Sequence, residues 1–398
     1  MTQQAPLIIL AAGGTGGHVF PAEALARELL GRGLRVALLT DQRGGKFSDD
    51  LSVPVYRIRA SSLGKGLFDK ARSIMAMGIG VLQARRVINK LKPAVVVGFG
   101  GYPSIPTLYA AARVNIPLIL HDSNAIIGRA NRAMMNHASV IATSFPHVLG
   151  LKPGHGVRLV LTGNPVRPIF ATLRATPYEP ITDNGPVRLL IIGGSQGARV
   201  FSQVAPRAIA LMPEHLRHRL IIAQQCRPED IEAARSAFAG AGIEAELSTF
   251  FRDVPERLAN SHLVICRSGG STVAELAAIG RPAILVPLPY GHAGEQLANA
   301  EAIAEAGGAW VIPEQAFTPE ALAVRLEALM TLPSSLIKTA AAARAWGTVS
   351  AADNLADCVE QVINGNASKS QSGLFGRRAT DSTDDTSNIA LKSNERAA

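Results

Sequence analysis

Short apolar runs alternate with longer stretches of helical periodicity along most of this 398-residue chain. In the first half the runs Leu7–Ala12, Leu34–Thr40, Val53–Ile58, Ala94–Val97, Pro117–His121 and Val140–Ala142 read as strands. Helical segments are predicted from about Pro21 to Arg32 and from about Leu67 to Leu91. The second half repeats the rhythm, with strands at Leu189–Ile192, Leu220–Ala223, Ala245–Thr249, Leu263–Cys266, Ala283–Val286 and Trp310–Ile312. The runs are continuous rather than alternating, as in strands buried on both faces. Strand–helix–strand repetition of this kind predicts α/β folding with parallel, doubly wound sheets.

One construction occurs twice. Leu7-Ile8-Ile9-Leu10-Ala11-Ala12 runs into Gly13-Gly14-Thr15-Gly16-Gly17-His18, and Val187-Arg188-Leu189-Leu190-Ile191-Ile192 into Gly193-Gly194-Ser195-Gln196-Gly197-Ala198. A strand, a glycine turn and a helix start aim backbone N–H groups and the positive end of a helix dipole at one spot, which favours an anion. Two copies suggest two nucleotide-type domains facing each other across a cleft. Asn164-Pro165-Val166-Arg167-Pro168 is a stiff turn, and we place the junction there: an N-terminal domain over 1–165, a C-terminal domain over 166–344, and a helix within about 345–365 that packs back on the first domain. Residues 366–398 are rich in Ser, Thr, Asp and Asn, and are expected to be disordered.

Composition narrows the class. Hydrophobic residues make up 47% of the chain and aromatics only 5%, so the cores must be aliphatic. Cys226, Cys266 and Cys358 stand far apart, with neither a disulfide pattern nor metal-type spacing, which fits a reducing cytosol. The N-terminus reads as a first strand rather than a signal peptide. The most apolar stretch, Ala94 to Ala112, is broken by Gly98, Gly100, Gly101, Pro103 and Pro106, so no membrane span is expected. The net charge of +9 is unevenly spread: residues 1–165 carry 19 basic and 7 acidic side chains, residues 166–365 carry 16 and 20. The basic half could face nucleic acid, anionic lipid or a diphosphate, or serve solubility alone. Few aromatics and no RNA-binding signature argue against nucleic acid.

Further loops follow predicted strands, where ligands bind in open α/β sheets. Gly98-Phe99-Gly100-Gly101-Tyr102 would allow close backbone approach to a ligand or simply make a turn. His121-Asp122-Ser123-Asn124 gathers four polar side chains, Asn124 being suited to a sugar or acetamido group and His121 to a supporting role. Cys266-Arg267-Ser268-Gly269-Gly270-Ser271-Thr272-Val273-Ala274-Glu275 opens a helix as an anion seat, with Glu275 one turn in and able to clamp two ribose hydroxyls. Gln296 and Asn299 share a helix face and suit sugar hydroxyls. His18 is the titratable residue of the first glycine turn, a general base or a packed, capping residue. Asp41, just past the second strand, leaves a dinucleotide site open, although the spacing is not G-x-G-x-x-G. No D-x-D pair for a nucleotide-sugar metal is present, so the reading calls for no metal and no cofactor.

These motifs, with Gly163-Asn164-Pro165-Val166-Arg167 and Gln296-x-x-Asn299-Ala300, resemble in order and over roughly residues 7–365 the MurG family of peripheral-membrane glycosyltransferases. The resemblance implies a GT-B glycosyltransferase fold, two Rossmann-like domains with a cleft between them. It implies inverting transfer of N-acetylglucosamine from UDP-GlcNAc to the 4-hydroxyl of MurNAc-pentapeptide on undecaprenyl pyrophosphate (lipid I), giving lipid II for peptidoglycan. It further implies His18 as base. Ser195 and Gly270, Ser271 and Thr272 would meet the diphosphate within a segment that continues through Val273 and Ala274 to Glu275 at the ribose. The Phe251 backbone would hold uracil and Gln296 the GlcNAc hydroxyls, with Thr15, Gly16, Gly17, Asn124 and Arg167 completing the site. The implied location is the cytoplasmic face of the inner membrane, with other cell-wall synthesis proteins as partners. Basic residues, among them Lys65, Lys70, Arg72, Arg85 and Arg86, flank the apolar stretch from Ile74 to Leu82 and suit an anionic membrane surface; an ordinary half-buried helix, weakened by Gly78 and Gly80, is the alternative. The chain departs from the family at Asp122-Ser123, where Glu-Gln is usual, and at Glu295, where Gln or His is usual. It also departs in its polar tail.

Overall fold

The computed structural model describes residues 4–13, 16–42, 51–61, 66–194, 197–289 and 294–375, with side chains up to Gly365. Thirteen strands are described, β1 (Leu7–Ala11), β2 (Arg35–Thr40), β3 (Val55–Arg57), β4 (Val95–Gly98), β5 (Leu118–Asp122), β6 (Val140–Thr143), β7 (Arg158–Leu161), β8 (Val187–Ile192), β9 (Leu220–Gln225), β10 (Ala245–Ser248), β11 (Leu263–Cys266), β12 (Ala283–Leu285) and β13 (Trp310–Val311). They form two sheets, in the orders β3-β2-β1-β4-β5-β6-β7 and β10-β9-β8-β11-β12-β13. Every pairing is parallel, for example Ile8 beside Val36 and Val95, and Leu189 beside Ile222 and Leu263. Each is the doubly wound order, whose direction reverses between β1 and β4 in one sheet and between β8 and β11 in the other. Helices cover both faces, so central strands are apolar throughout: Val95, Val96, Val97, Val264 and Ile265 are fully buried.

β7 has no counterpart in the sequence reading. It lies at a sheet edge with Leu159 and Leu161 half exposed, and its apolar run, Leu159-Val160-Leu161, is short and interrupted by Arg158. The stretch after β4 carries a helix at Ile105–Ala112, opened by Pro106 in its first turn. The Leu67–Leu91 helix runs through both glycines; Gly78 faces solvent, and Gly80 lets the helix approach the Arg59 carbonyl.

The chain leaves the first sheet at Thr162 and returns after Trp346. The final helix, Ala351–Phe375, lies where a returning helix is expected but extends beyond Asn366, where the sequence reading ends order. The rest of the expected tail, 376–398, lies outside the described residues. Leu355, Ala356 and Val359 of this helix share one core with Ile8, Leu25 and Leu29. Arg32, at the end of the Gly16–Gly31 helix, pairs with Asp353, with Asp357 at 2.7 Å and with Glu360 at 3.3 Å. Asn354 Nδ2 donates to the Thr162 carbonyl at 3.1 Å, binding the outgoing and returning crossings together.

The packing of this helix makes a specific expectation. Leu355 is fully buried, and Leu355→Ala should destabilise the first domain by about 3 kcal/mol, read as a lower thermal midpoint. An unchanged midpoint would show that the helix does not complete that core.

Candidate active site

The reversal points bring the predicted motifs together. β1 runs into Gly13 and the helix Gly16–Gly31, while β4, its neighbour, ends at a turn with Gly100 and Gly101 at φ of +83° and +72°. The His18 ring lies against that turn: a Cβ on Gly101 would stand 3.2 Å from its Cδ2, and one on Gly100 3.4 Å from Cε1. Nδ1 is enclosed without a hydrogen bond of good geometry. Burial lowers the His18 pKa below 6.5, and the Phe99 backbone opposes only part of the effect. Enclosure, more than the helix dipole, keeps this imidazole neutral and able to accept a proton. Thr15 and Ser195 lie outside the described residues, as do Gly14 and Gln196.

Beyond β5, Asp122 is a loop organiser. Its Oδ1 accepts from the Asn124 N–H at 3.2 Å; its Oδ2 accepts from the Gly128 N–H at 2.8 Å and from Asn131 Nδ2 at 3.0 Å. Burial raises its pKa, and these bonds oppose the shift. His121 is enclosed beneath, its Nε2 3.2 Å from the Gly163 carbonyl and 3.3 Å from Ser144 Oγ. Burial takes its pKa down to about 4. Asp41, the residue that kept a dinucleotide site open, is buried and accepts from the Tyr102 hydroxyl at 2.9 Å.

In the second domain β8 ends in a turn with Gly194 and Gly197 at φ of +82° and +68°, a region in which other residues are strained. Gln225 braces it. Its Oε1 accepts from the Gly193 N–H at 3.1 Å and its Nε2 donates to the Gly194 carbonyl at 3.0 Å. Sequence reading missed this residue, because a glutamine at a strand end has no local signature. Next to it, β11 leads into the helix Gly270–Ile279, whose first turn has no side-chain cap. Ser271 Oγ is buried and unpartnered, and Thr272 is half-buried. Val273 points into the core, so only its backbone can meet a ligand. Ala274 lines a hinge cavity of about 120 Å³ with Asn164, Gly270 and Trp346.

Glu275 is buried, and its carboxylate accepts from Arg167 Nη2 at 3.1 Å. Burial raises its pKa and Arg167 pulls the other way. The Arg167 guanidinium lies 5.0 Å from each of the Phe20 and Phe170 rings. Phe20 is two residues beyond His18, so Arg167 links the histidine helix to the carboxylate helix. The Phe251 ring is buried and stacked under Arg257 at 4.2 Å, which leaves its backbone for a ligand. Gln296 is half-buried at the start of the Glu295–Glu305 helix, its Oε1 accepting from the Leu288 N–H at 3.0 Å.

One expectation needs correction. Asn299 does not present its amide to the cleft: it is fully buried and bonds to Ala125, Asn124 and Ser268. Arg267, to which the sequence assigned no role, bonds to the Val286 and Pro287 carbonyls and pairs with Glu314.

Two doubly wound domains, with an enclosed histidine on one and an anion seat beside a buried carboxylate on the other, define a glycosyltransferase of the GT-B class. Residues 8–143 match the glycosyltransferase family 28 N-terminal domain and residues 188–358 its C-terminal domain. A Rhodospirillum centenum protein named UDP-N-acetylglucosamine–N-acetylmuramyl-(pentapeptide) pyrophosphoryl-undecaprenol N-acetylglucosamine transferase is 57% identical over 88% of this chain and 93% of its own length. A Paramagnetospirillum magneticum protein of the same name is 51% identical over 91% and 98%. The crystal structure of Acinetobacter baumannii MurG superposes with a TM-score of 0.73 at 28% identity, covering 89% of this chain and 99% of that one. The chain belongs to this MurG family of N-acetylglucosamine transferases.

The enclosed His121 makes stability depend on pH. Its folded pKa of about 4 lies below the ordinary 6.5. Its contribution is therefore complete above pH 6.5 and lost as pH falls toward 4, because the unfolded chain takes up a proton that the folded chain refuses. Between pH 7 and 5 His121 should cost about 2 kcal/mol of stability. Urea unfolding at both pH values should show this loss, and His121→Gln should reduce it; an equal loss in the variant would refute the assignment.

Proposed function

We propose that the chain transfers N-acetylglucosamine from UDP-GlcNAc to the 4-hydroxyl of the lipid-linked MurNAc-pentapeptide, with His18 as the base. The observation that carries this reading is the pairing of unequal turns across one cleft. One holds an enclosed neutral imidazole. The other is a helix start with unfilled N–H groups beside the Arg167–Glu275 pair. That pairing fits an acceptor hydroxyl on the first domain and a nucleotide diphosphate on the second. The enzyme name shared by relatives at 57% and 51% identity supports the same substrates.

In this mechanism the acceptor oxygen attacks the anomeric carbon as His18 takes its proton. The bond from that carbon to the diphosphate breaks on the opposite side, inverting the centre. The bonding pair leaves with UDP, whose added charge falls on the Gly270–Ile279 helix start and the Arg167 guanidinium. Glu275 engages the ribose, Gln296 the sugar hydroxyls, the Phe251 backbone the base, and Asn124, Gly16 and Gly17 the sugar side of the cleft. Thr15 and Ser195 belong to the same proposal.

The acceptor is a lipid, and the helix Leu67–Leu91 offers a surface for it. Phe68 is 90% exposed, Ile74 65% and Met75 64%, with Lys70, Arg72, Arg85 and Arg86 exposed on the same helix. Apolar side chains among cations suit insertion at an anionic membrane face. Among the described residues no helix is long and apolar enough to cross a membrane.

Purified protein should release UDP from UDP-GlcNAc only when a lipid I analogue is present; turnover of UDP-glucose in preference to UDP-GlcNAc would overturn the reading. His18→Ala should bind UDP within about threefold of the parent yet lose roughly 10²–10⁴ in rate. The acid limb of kcat/KM should lie below pH 6.5, since His18 must be neutral. For the membrane surface, co-sedimentation with anionic vesicles should collapse on replacing Phe68, Ile74 and Met75 by Ser. It should weaken, and lose its salt sensitivity, on replacing Lys70, Arg72, Arg85 and Arg86 by Gln. Binding unchanged in both variants would rule out this surface.

A further inference from the structure

Asn299 is a wholly buried amide at the boundary of the two domains, and every polar atom of its side chain is committed. Oδ1 accepts from the Ala125 N–H at 2.7 Å, while Nδ2 donates to the Ser268 carbonyl at 3.1 Å and to Asn124 Oδ1 at 3.0 Å. Two of these partners belong to the first domain and one to the second. The backbone partners set the direction of the amide. An N–H can only donate and a carbonyl can only accept, so Asn299 has one orientation. Its Nδ2 must then meet Asn124 Oδ1, which fixes the Asn124 amide in turn. The remaining Asn124 Nδ2 engages the Asp122 carboxylate and makes a long 3.4 Å contact to Ser123 Oγ, so the weakly held N–H on the Ser123 side is the one a ligand can take.

The residues gripped by Asn299 are themselves rigid. On one side Asp122 ties down Asn124, Gly128 and Asn131. On the other, Ser268 Oγ donates to the Gln296 carbonyl at 2.7 Å, and Gln296 lies one helical turn before Asn299. Directly alongside, Gly270 stands so near the Ser123 carbonyl oxygen that a Cβ would collide with it. The bonds therefore join two braced loops.

We propose that Asn299 is a positioning residue that latches the domains closed and presents the Asn124 amide N–H to the donor sugar. The proposal rests on the donor reading of Gln296 and Asn124 given above. His18 belongs to the first domain and Gln296 and Glu275 to the second, so the latch helps to set their relative placement beside the Gly270–Ser123 contact. A displacement of about 1 Å at reacting atoms costs on the order of 10²-fold in rate.

The test uses the full chain with Asn299→Ala and Asn299→Asp. The Asp variant keeps the shape and the acceptor for Ala125 but turns a carboxylate oxygen toward two other oxygens. Both variants should bind UDP alone within about threefold of the parent, since the nucleotide is held by the second domain. Both should lose at least about 100-fold in kcat. In Asn299→Ala the Ala125 amide should exchange with solvent at least about tenfold faster in UDP-saturated protein. A kcat within threefold of the parent in a folded variant would overturn the proposal. So would a rate loss matched by equal losses of UDP affinity and thermal stability, or failure of both variants to fold, either of which would make Asn299 a folding residue. If the parent does not transfer N-acetylglucosamine, the functional reading fails, while the Ala125 exchange still decides the latch.

Discussion

The contact between Gly270 and the Ser123 carbonyl is the constraint on which the cleft depends. A helix start can serve as an anion seat only if its N–H groups stay open, yet here the same helix start abuts the other domain. Glycine resolves the conflict, since without a side chain the backbone can touch Ser123 while the next N–H groups remain free. With that approach set, Glu275 falls one turn further on, within reach of Arg167, and Asn299 reaches Asn124. Any side chain at position 270 would separate elements that the proposed chemistry needs in register.

Burial supplies the electrostatics. Asp122, His121, Asn299 and Glu275 are polar groups held out of water, a costly arrangement unless each finds partners. Asp122 and Asn299 are well supplied with them, and their role is rigidity. Glu275 keeps one cationic partner, and His18 keeps an enclosed nitrogen with no well-aligned bond. The saturated groups form the scaffold, and the incompletely satisfied ones are those the proposed reaction uses. That division separates the supporting His121, which is buried, from the reactive candidate His18, which is half-buried beside the neighbouring turn.

The final helix shows a related economy. The chain crosses between domains twice, and Asn354 joins the two crossings through the Thr162 carbonyl. Because Leu355 and Val359 complete the first core, the return crossing is anchored at its end. The two crossings are thereby held side by side at the domain junction.

Much of this was legible in the residues themselves. Continuous apolar runs predicted the inner strands closely, including β11 at Leu263–Cys266, because a strand buried on both faces can be built from few other sequences. Glycine turns after strands marked the loops at the reversal points, since only glycine meets their backbone requirements. β7 escaped because its apolar run is short and broken by Arg158, and Gln225 because its partners lie in another loop. The sequence placed Gln296 and Asn299 on one helix face and assigned both to sugar, and it marked Arg267 within the helix-start motif. Tertiary structure decided otherwise for Asn299, and it alone gave Arg267 its partners. Which hydrogen-bond partner a side chain takes depends on groups brought near from distant parts of the chain, and local periodicity carries no information about them. Local sequence thus determined the elements and the class of chemistry, while long-range packing determined which polar groups were spent on holding the domains and which were left for a ligand.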